Sequence, residues 1–213
     1  MKLVARHAPY LLCGALFGSV IAWGIAVEDA VKFVSTATAY ASLVYMATAL
    51  LIGPWRVLSA RRPIASHSMR RRLGIWAGLF GIAHMLAGLN SHFKGKMWNY
   101  FVFPNGDGPL GFLRTDLFGV ANYLGVVGIV VLIMLLALSN DSSIKRLGVT
   151  RWKSAQRFTY LLFALIVLHA FAYYALEARH AVILVFVGLV STIVIIMQAL
   201  GFFRYLSSAS RDN

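Results

Sequence analysis

Apolar positions in this chain gather into six blocks free of charged residues, at 8–27, 36–52, 73–89, 117–138, 158–175 and 181–203. The blocks are 17 to 23 residues long. A helix rising about 1.5 Å per residue needs about 20 such residues to cross a hydrocarbon core of about 30 Å. Lipid cannot satisfy an exposed amide, so a spanning segment must be a helix or part of a closed barrel. The strict period-two alternation of a barrel strand is absent. The pattern predicts an all-α integral membrane protein in which six transmembrane helices form a single domain over 1–213. The longest connection, 90–116, is too short for a soluble domain.

Composition agrees with the pattern: 60% of the 213 residues are hydrophobic, 13% are charged, and mean hydropathy is +0.74. A net charge of +13 raises the question of nucleic acid, but the placement of the charges answers it. In a six-helix arrangement Lys2, Arg6, Arg56, Arg61, Arg62, Arg70, Arg71, Arg72, Lys145, Arg146, Arg151, Lys153, Arg157, Arg204 and Arg211 fall on one side, 15 of the 20 basic residues. On the other side Lys32, Lys94, Lys96, Arg114 and Arg179 are balanced by Glu28, Asp29, Asp107, Asp116 and Glu177. This asymmetry predicts cytoplasmic termini, with the second-to-third and fourth-to-fifth connections on the same side. Anionic lipid accounts for the basic face without nucleic acid. The first block, preceded by Lys2 and Arg6, has the charge pattern of a signal peptide, but it is long, lacks a small-x-small cleavage site and is expected to stay as a helix.

The remaining chemistry is sparse. There is no GxGxxG fingerprint, no phosphate-binding loop and no internal repeat, and Cys13 is the only cysteine, which excludes a CxxC site. Of six histidines, only His84 and His169 lie inside the apolar blocks; His7 and His67 fall near basic segments, and His92 and His180 at the opposite ends. His84 follows Leu73 by 11 residues, and His169 follows Phe158 by 11. Both blocks run in the same direction, so both imidazoles are expected about 16 Å from the entry face, facing each other. An ionisable group at that depth points to function.

On the face of His84 lie Gly81, Ala87 and Gly88, with Ala77 two turns back. These suit either a flat ligand against the backbone or close helix packing of the kind the Gly74-x-x-x-Gly78 pair supports. Around His169 the neighbours Leu165, Ile166, Ala172 and Tyr173 are bulkier. Two imidazoles without a nearby cysteine or carboxylate make a poor zinc site, whereas porphyrin iron needs only axial ligands.

The stretches MATALLIGPWRVL, RRRLGIWAGLFGIAH and IKRLGVTRWKSAQRFTYLLFALIVLH resemble the haem-binding membrane subunit of bacterial periplasmic methionine sulfoxide reductase systems, the MsrQ/YedZ family of the ferric reductase-like transmembrane superfamily. The resemblance spans the second to fifth segments, more than half of the chain, and rests on RRLGxW and LGxxRWxxxxxFxY, each leading to a histidine. It implies a bundle of the ferric reductase-like type and places His84 and His169 on the family's axial haem ligands. It also implies an electron-transfer subunit of an oxidoreductase system in the bacterial inner membrane. The donor would be the quinol pool or a cytosolic flavin reductase, with quinone or FMN as the donating group. The acceptor would be a periplasmic molybdopterin oxidoreductase.

Two features depart from that pattern. Gln156 stands where the family carries a further histidine, so one haem b is expected; His92 and His180 form an alternative outer pair for a second. The connection 90–116 is longer than the family's, and its Trp98, Tyr100 and Phe101 fit an interfacial aromatic belt better than a cover or a docking surface. Two other classes stay open: a stand-alone transmembrane reductase of an extracellular metal ion or quinone, and a cofactor-free transporter or assembly protein.

Overall fold

The computed structural model describes residues 2–59, 67–93, 95–177 and 181–209. Its helices are α1 (Lys2–Gly24), α2 (Ala30–Leu58), α3 (His67–Ser91), α4 (Leu117–Leu138), α5 (Asp141–Gln156), α6 (Phe158–Glu177) and α7 (Ala181–Ala209), with a short 3-10 turn at Met97–Tyr100. Six segments are long and apolar enough to cross a membrane, the fifth running from Asp141 at the start of α5 through α6 to Leu176, so the chain is an all-α, six-span bundle. Among the described residues only isolated β-bridges occur, within the connection before α4.

Helix ends follow capping more closely than hydropathy. Asp29 accepts from the Lys32 amide at 2.8 Å, so α2 starts well before the block at 36–52. Polar termini can continue a helix into the interface, and α3 begins ahead of 73 in the same way. The first helix instead stops at Gly24, short of 27, because the chain turns through Ala26 at φ 51°. Between α4 and α6 the sequence reading leaves a basic connection; the structure has a helix. Asn140 caps it by accepting from the Ser143 amide at 2.8 Å, Asp141 sits in its first turn, and Gly148, at φ 73°, divides it. Too polar to span, α5 carries Lys145, Arg146, Arg151 and Lys153.

Hydrophobic transfer does not drive helices together in lipid, so close packing and polar links must. The core centres on α2, which packs against α1, α3 and α7, while α4 packs against α6. A side chain at Gly18 would run into the main chain of Ala37, and one at Gly14 into Phe80, so α1 meets both α2 and α3 through glycine. Ser42 Oγ donates to the Ala77 carbonyl at 2.8 Å, tying α2 to α3. Pro54 lacks the N–H that would reach Leu50, and Gln198 of α7 supplies it: its Nε2 donates to the Leu50 carbonyl at 2.8 Å. Gly201 lets the two backbones close over the proline, since a Cβ there would lie 2.7 Å from Pro54 Cβ.

Two motif residues close the C-terminal end of α4. Arg71 donates Nε to the Ser139 carbonyl at 3.0 Å and pairs with Asp141, while Trp152 donates to the Leu138 carbonyl at 2.9 Å. Carbonyls left over at a helix end need such donors.

Candidate functional site between two helix pairs

The backbones of α3 and α6 do not pack on each other; α2 with α3 forms one wall, and α4 with α6 the other. His84 reaches out from the first wall and His169 from the second. Their ring centroids lie 6.1 Å apart, with the planes at 79°. The equal offsets along the sequence thus end in side-chain proximity.

Each ring is held from behind by a main-chain carbonyl. His84 Nδ1 lies 2.9 Å from the Ser35 carbonyl oxygen and 3.1 Å from Ser35 Oγ, and His169 Nδ1 lies 2.8 Å from the Ala121 carbonyl oxygen. A carbonyl oxygen can only accept, so Nδ1 carries the proton in both rings and, in neutral imidazole, Nε2 carries the lone pair. Metal-ligating histidines are commonly fixed by this kind of bond. Two imidazole nitrogens about 2 Å from one metal ion put their ring centroids about 5 to 6 Å apart, according to the angle at the metal, and the 6.1 Å found here is at the upper end of that range.

The approach of His169 to Ala121 depends on the residue one turn along α4. A Cβ on Gly125 would lie 3.2 Å from His169 Cε1 and 3.3 Å from Nδ1. Glycine there gives the imidazole its place against the helix.

A cavity of about 240 Å³ adjoins the two rings, far beyond the single-water voids ordinary in protein interiors. Gly81 and Gly88 contribute to one side and Gly125 and Gly128 to the other. Of the small residues around His84, Gly81 and Gly88 border this space, Ala77 is packed in the core and Ala87 is not part of the lining, and two facing glycines come from α4. Gly78 accommodates Leu136, Gly81 also faces Leu132, and nothing lies near Gly74, so the Gly74/Gly78 pair is not a tight helix crossing. Among the described residues no three His, Cys, Asp or Glu side chains converge to hold a bare ion. The pair offers two nitrogens, which suits a metal that brings its remaining ligands with it.

The other sequence candidates separate. His92 begins the turn after α3, is exposed, and lines the cavity. His180 lies outside the described residues. His7 accepts from Trp76 Nε1 at 3.1 Å. Gln156 does not line the cavity, and its buried Nε2 has no hydrogen-bond partner among the described residues.

The connection before α4 folds inward rather than forming a full belt. Tyr100 is only 2% exposed; its hydroxyl donates to the Gly88 carbonyl at 2.7 Å and accepts from the His92 amide at 2.9 Å. Phe101 lines the cavity, and its carbonyl accepts from Tyr123. Of the three aromatics expected at the interface, Trp98 alone stands largely exposed, at 78%. The others turn inward because their polar atoms find partners on α3 and α4.

Arg114 secures this cover. Its guanidinium lies 4.8 Å from the centroids of both Phe103 and Phe118, donates to the Asn99 carbonyl at 2.8 Å and pairs with Asp116 at 3.2 Å. Asp116 also caps α4 by accepting from the Gly119 amide at 2.9 Å. Burial pushes its carboxyl up, but the bonds from Arg114 and Gly119 outweigh that and hold it below the usual carboxylate range.

Several site residues carried no motif. Ser35 and Ala121 act through their carbonyls, which no sequence reports. Asn122 did carry a signal, being a polar side chain inside an apolar block: it accepts from the Tyr173 hydroxyl at 2.7 Å and donates to the Phe118 carbonyl at 2.8 Å. Searches of protein-family models and of curated proteins return no match to this chain.

Proposed function

We propose that the chain is a b-type membrane cytochrome, an electron-transfer subunit that carries electrons across a bacterial inner membrane to a separate oxidoreductase. The observation that carries this reading is the pair of imidazoles, 6.1 Å apart beside a cavity, each with Nδ1 on a carbonyl oxygen. His84 and His169 would hold one haem b. When bound, the haem would supply one-electron chemistry at these two residues.

The protein's share is positional. Ser35 and Ala121 fix the imidazole tautomers, Gly125 makes room for the second ring, and Tyr100 covers the cavity. The resemblance to the MsrQ/YedZ family and to the ferric reductase-like bundle supplies the proposed circuit. In it the quinol pool or a flavin reductase is the donor, through quinone or FMN, and a periplasmic molybdopterin oxidoreductase is the acceptor. The charge asymmetry supports cytoplasmic termini in that circuit.

The test is the reduced-minus-oxidised absorption spectrum of detergent-purified protein with haem counted per chain. A low-spin b-type spectrum at about one haem per chain is expected. His84→Ala or His169→Ala should lose it, and His7→Ala should keep it. Colourless wild-type protein after expression with ample haem, or haem surviving both single substitutions, would overturn the reading.

A further inference from the structure

Several hydroxyls that border the cavity spend their proton inside the protein. Ser42 donates to the Ala77 carbonyl at 2.8 Å, Ser91 and Tyr100 both donate to the Gly88 carbonyl at 2.7 Å, and Tyr173 donates to Asn122 at 2.7 Å. Ser35 is different. Its Oγ lies 3.1 Å from His84 Nδ1, whose hydrogen is also directed at the Ser35 carbonyl oxygen 2.9 Å away. An imidazole N–H facing a carbonyl oxygen has to be the donor, so the hydroxyl oxygen beside it is a second acceptor of the same shared hydrogen. The hydroxyl proton of Ser35 is therefore left over, and among the described residues it has no acceptor.

Ser35 is 9% exposed and lines the cavity. A buried hydroxyl proton without an acceptor costs free energy, and an occupant of the cavity can supply one. The polarity of the space agrees. Ser35 lies near the Asp29-capped end of α2, and its Oγ is 3.4 Å from the place a Cβ on Gly88 would occupy. Ser91 and Asn122 line the cavity toward that end, whereas Ile129, Leu132 and Leu162 line it toward the basic end of the bundle. An ionised group against the aliphatic end would forfeit its hydration without compensation, so an amphiphilic occupant has one orientation available.

We infer that Ser35 binds the ligand as well as holding His84: its hydroxyl accepts the imidazole hydrogen and donates its own to a carboxylate of the ligand. The inference rests on the cytochrome reading. Haem b carries two carboxylates along one edge and apolar substituents elsewhere. One carboxylate belongs at Ser35, and the apolar edge faces Leu132 and Leu162.

Full-length apoprotein in detergent would be titrated with haem b and with its dimethyl ester, for wild type, Ser35→Ala and Ser35→Thr. Ser35→Ala keeps the carbonyl that holds His84 and removes only the hydroxyl. It should bind the free acid about tenfold more weakly than wild type does, the worth of one hydrogen bond to a charged group. Its loss with the ester should be smaller, because the ester offers only a neutral oxygen. Ser35→Thr, which keeps a hydroxyl, should hold the acid nearly as wild type does. All three should give the low-spin spectrum at saturating ligand, which also shows that they fold. Equal loss for both ligands in Ser35→Ala, or no loss for the acid, overturns the inference and leaves the cytochrome reading standing. So does a loss of acid binding in Ser35→Thr as large as in Ser35→Ala. Failure of wild type to give a low-spin spectrum with either ligand overturns both readings.

Discussion

The imidazole of His169 lies against the bare backbone face of Gly125, with 3.2 Å between its Cε1 and the place a Cβ would occupy. That fit makes an unremarkable glycine part of the site. Gly125→Ala should push the ring by a few tenths of an ångström, weaken its bond to Ala121 and lower haem affinity. Gly125→Val should abolish binding without unfolding the chain, since overpacking one buried position costs about 1 to 3 kcal/mol. Haem per chain, read beside the thermal midpoint of the apoprotein, separates the two effects.

Gln198 offers a prediction away from the site. Replacing it with leucine keeps the size and leaves the Leu50 carbonyl without its side-chain donor. An interhelical hydrogen bond in a membrane protein is worth about 0.6 to 2 kcal/mol, so Gln198→Leu should lower stability by that order. Denaturant unfolding in detergent micelles measures it, and an unchanged midpoint would mean that the proline kink is satisfied in another way.

The Arg114–Asp116 pair predicts a direction with pH. A folded carboxyl held below its unfolded value of about 3.9 adds stability above that value and loses it as pH falls through the folded one. Protection of the 95–116 cover from proteolysis should therefore be flat from pH 5 to 8 and decline below about pH 4. Asp116→Asn should be less protected across the range and lack the acid step. Because the Asp116 side chain is 42% exposed, solvent screening keeps the effect to about 1 kcal/mol or less.

Exchanging residues 90–116 for a short connection tests what the cover does. Under the proposed function, haem should remain on His84 and His169 while electron delivery to the partner oxidoreductase falls. Stopped-flow reoxidation by that partner, compared with reoxidation by a small soluble oxidant, measures it. Equal loss with both oxidants would mean that the exchange damaged the site and not the docking.

How much of this was legible beforehand depended on which atoms carried it. The bounds of α4 match the block at 117–138 because Asp116 and Ser139 flank it as caps, and His84 and His169 could be paired because depth along a helix is simple arithmetic. The amphipathic α5 escaped because a segment rich in Lys and Arg gives no apolar run. The second small-residue wall escaped because it lies on α4, a helix without a histidine, and pairing α4 with α6 is a tertiary fact. Tyr100 and Phe101 were read as interfacial from their residue type, whereas their burial depends on carbonyls and amides of other helices.

The bond from Gln198 to Leu50 also sets an order of assembly. The carbonyl is made 148 residues before the side chain that satisfies it. During synthesis α2 enters the membrane with a polar gap at its proline, and the gap persists until α7 arrives. A nascent chain thus carries at Leu50 a carbonyl oxygen without its side-chain donor, and a product truncated before α7 would keep that defect.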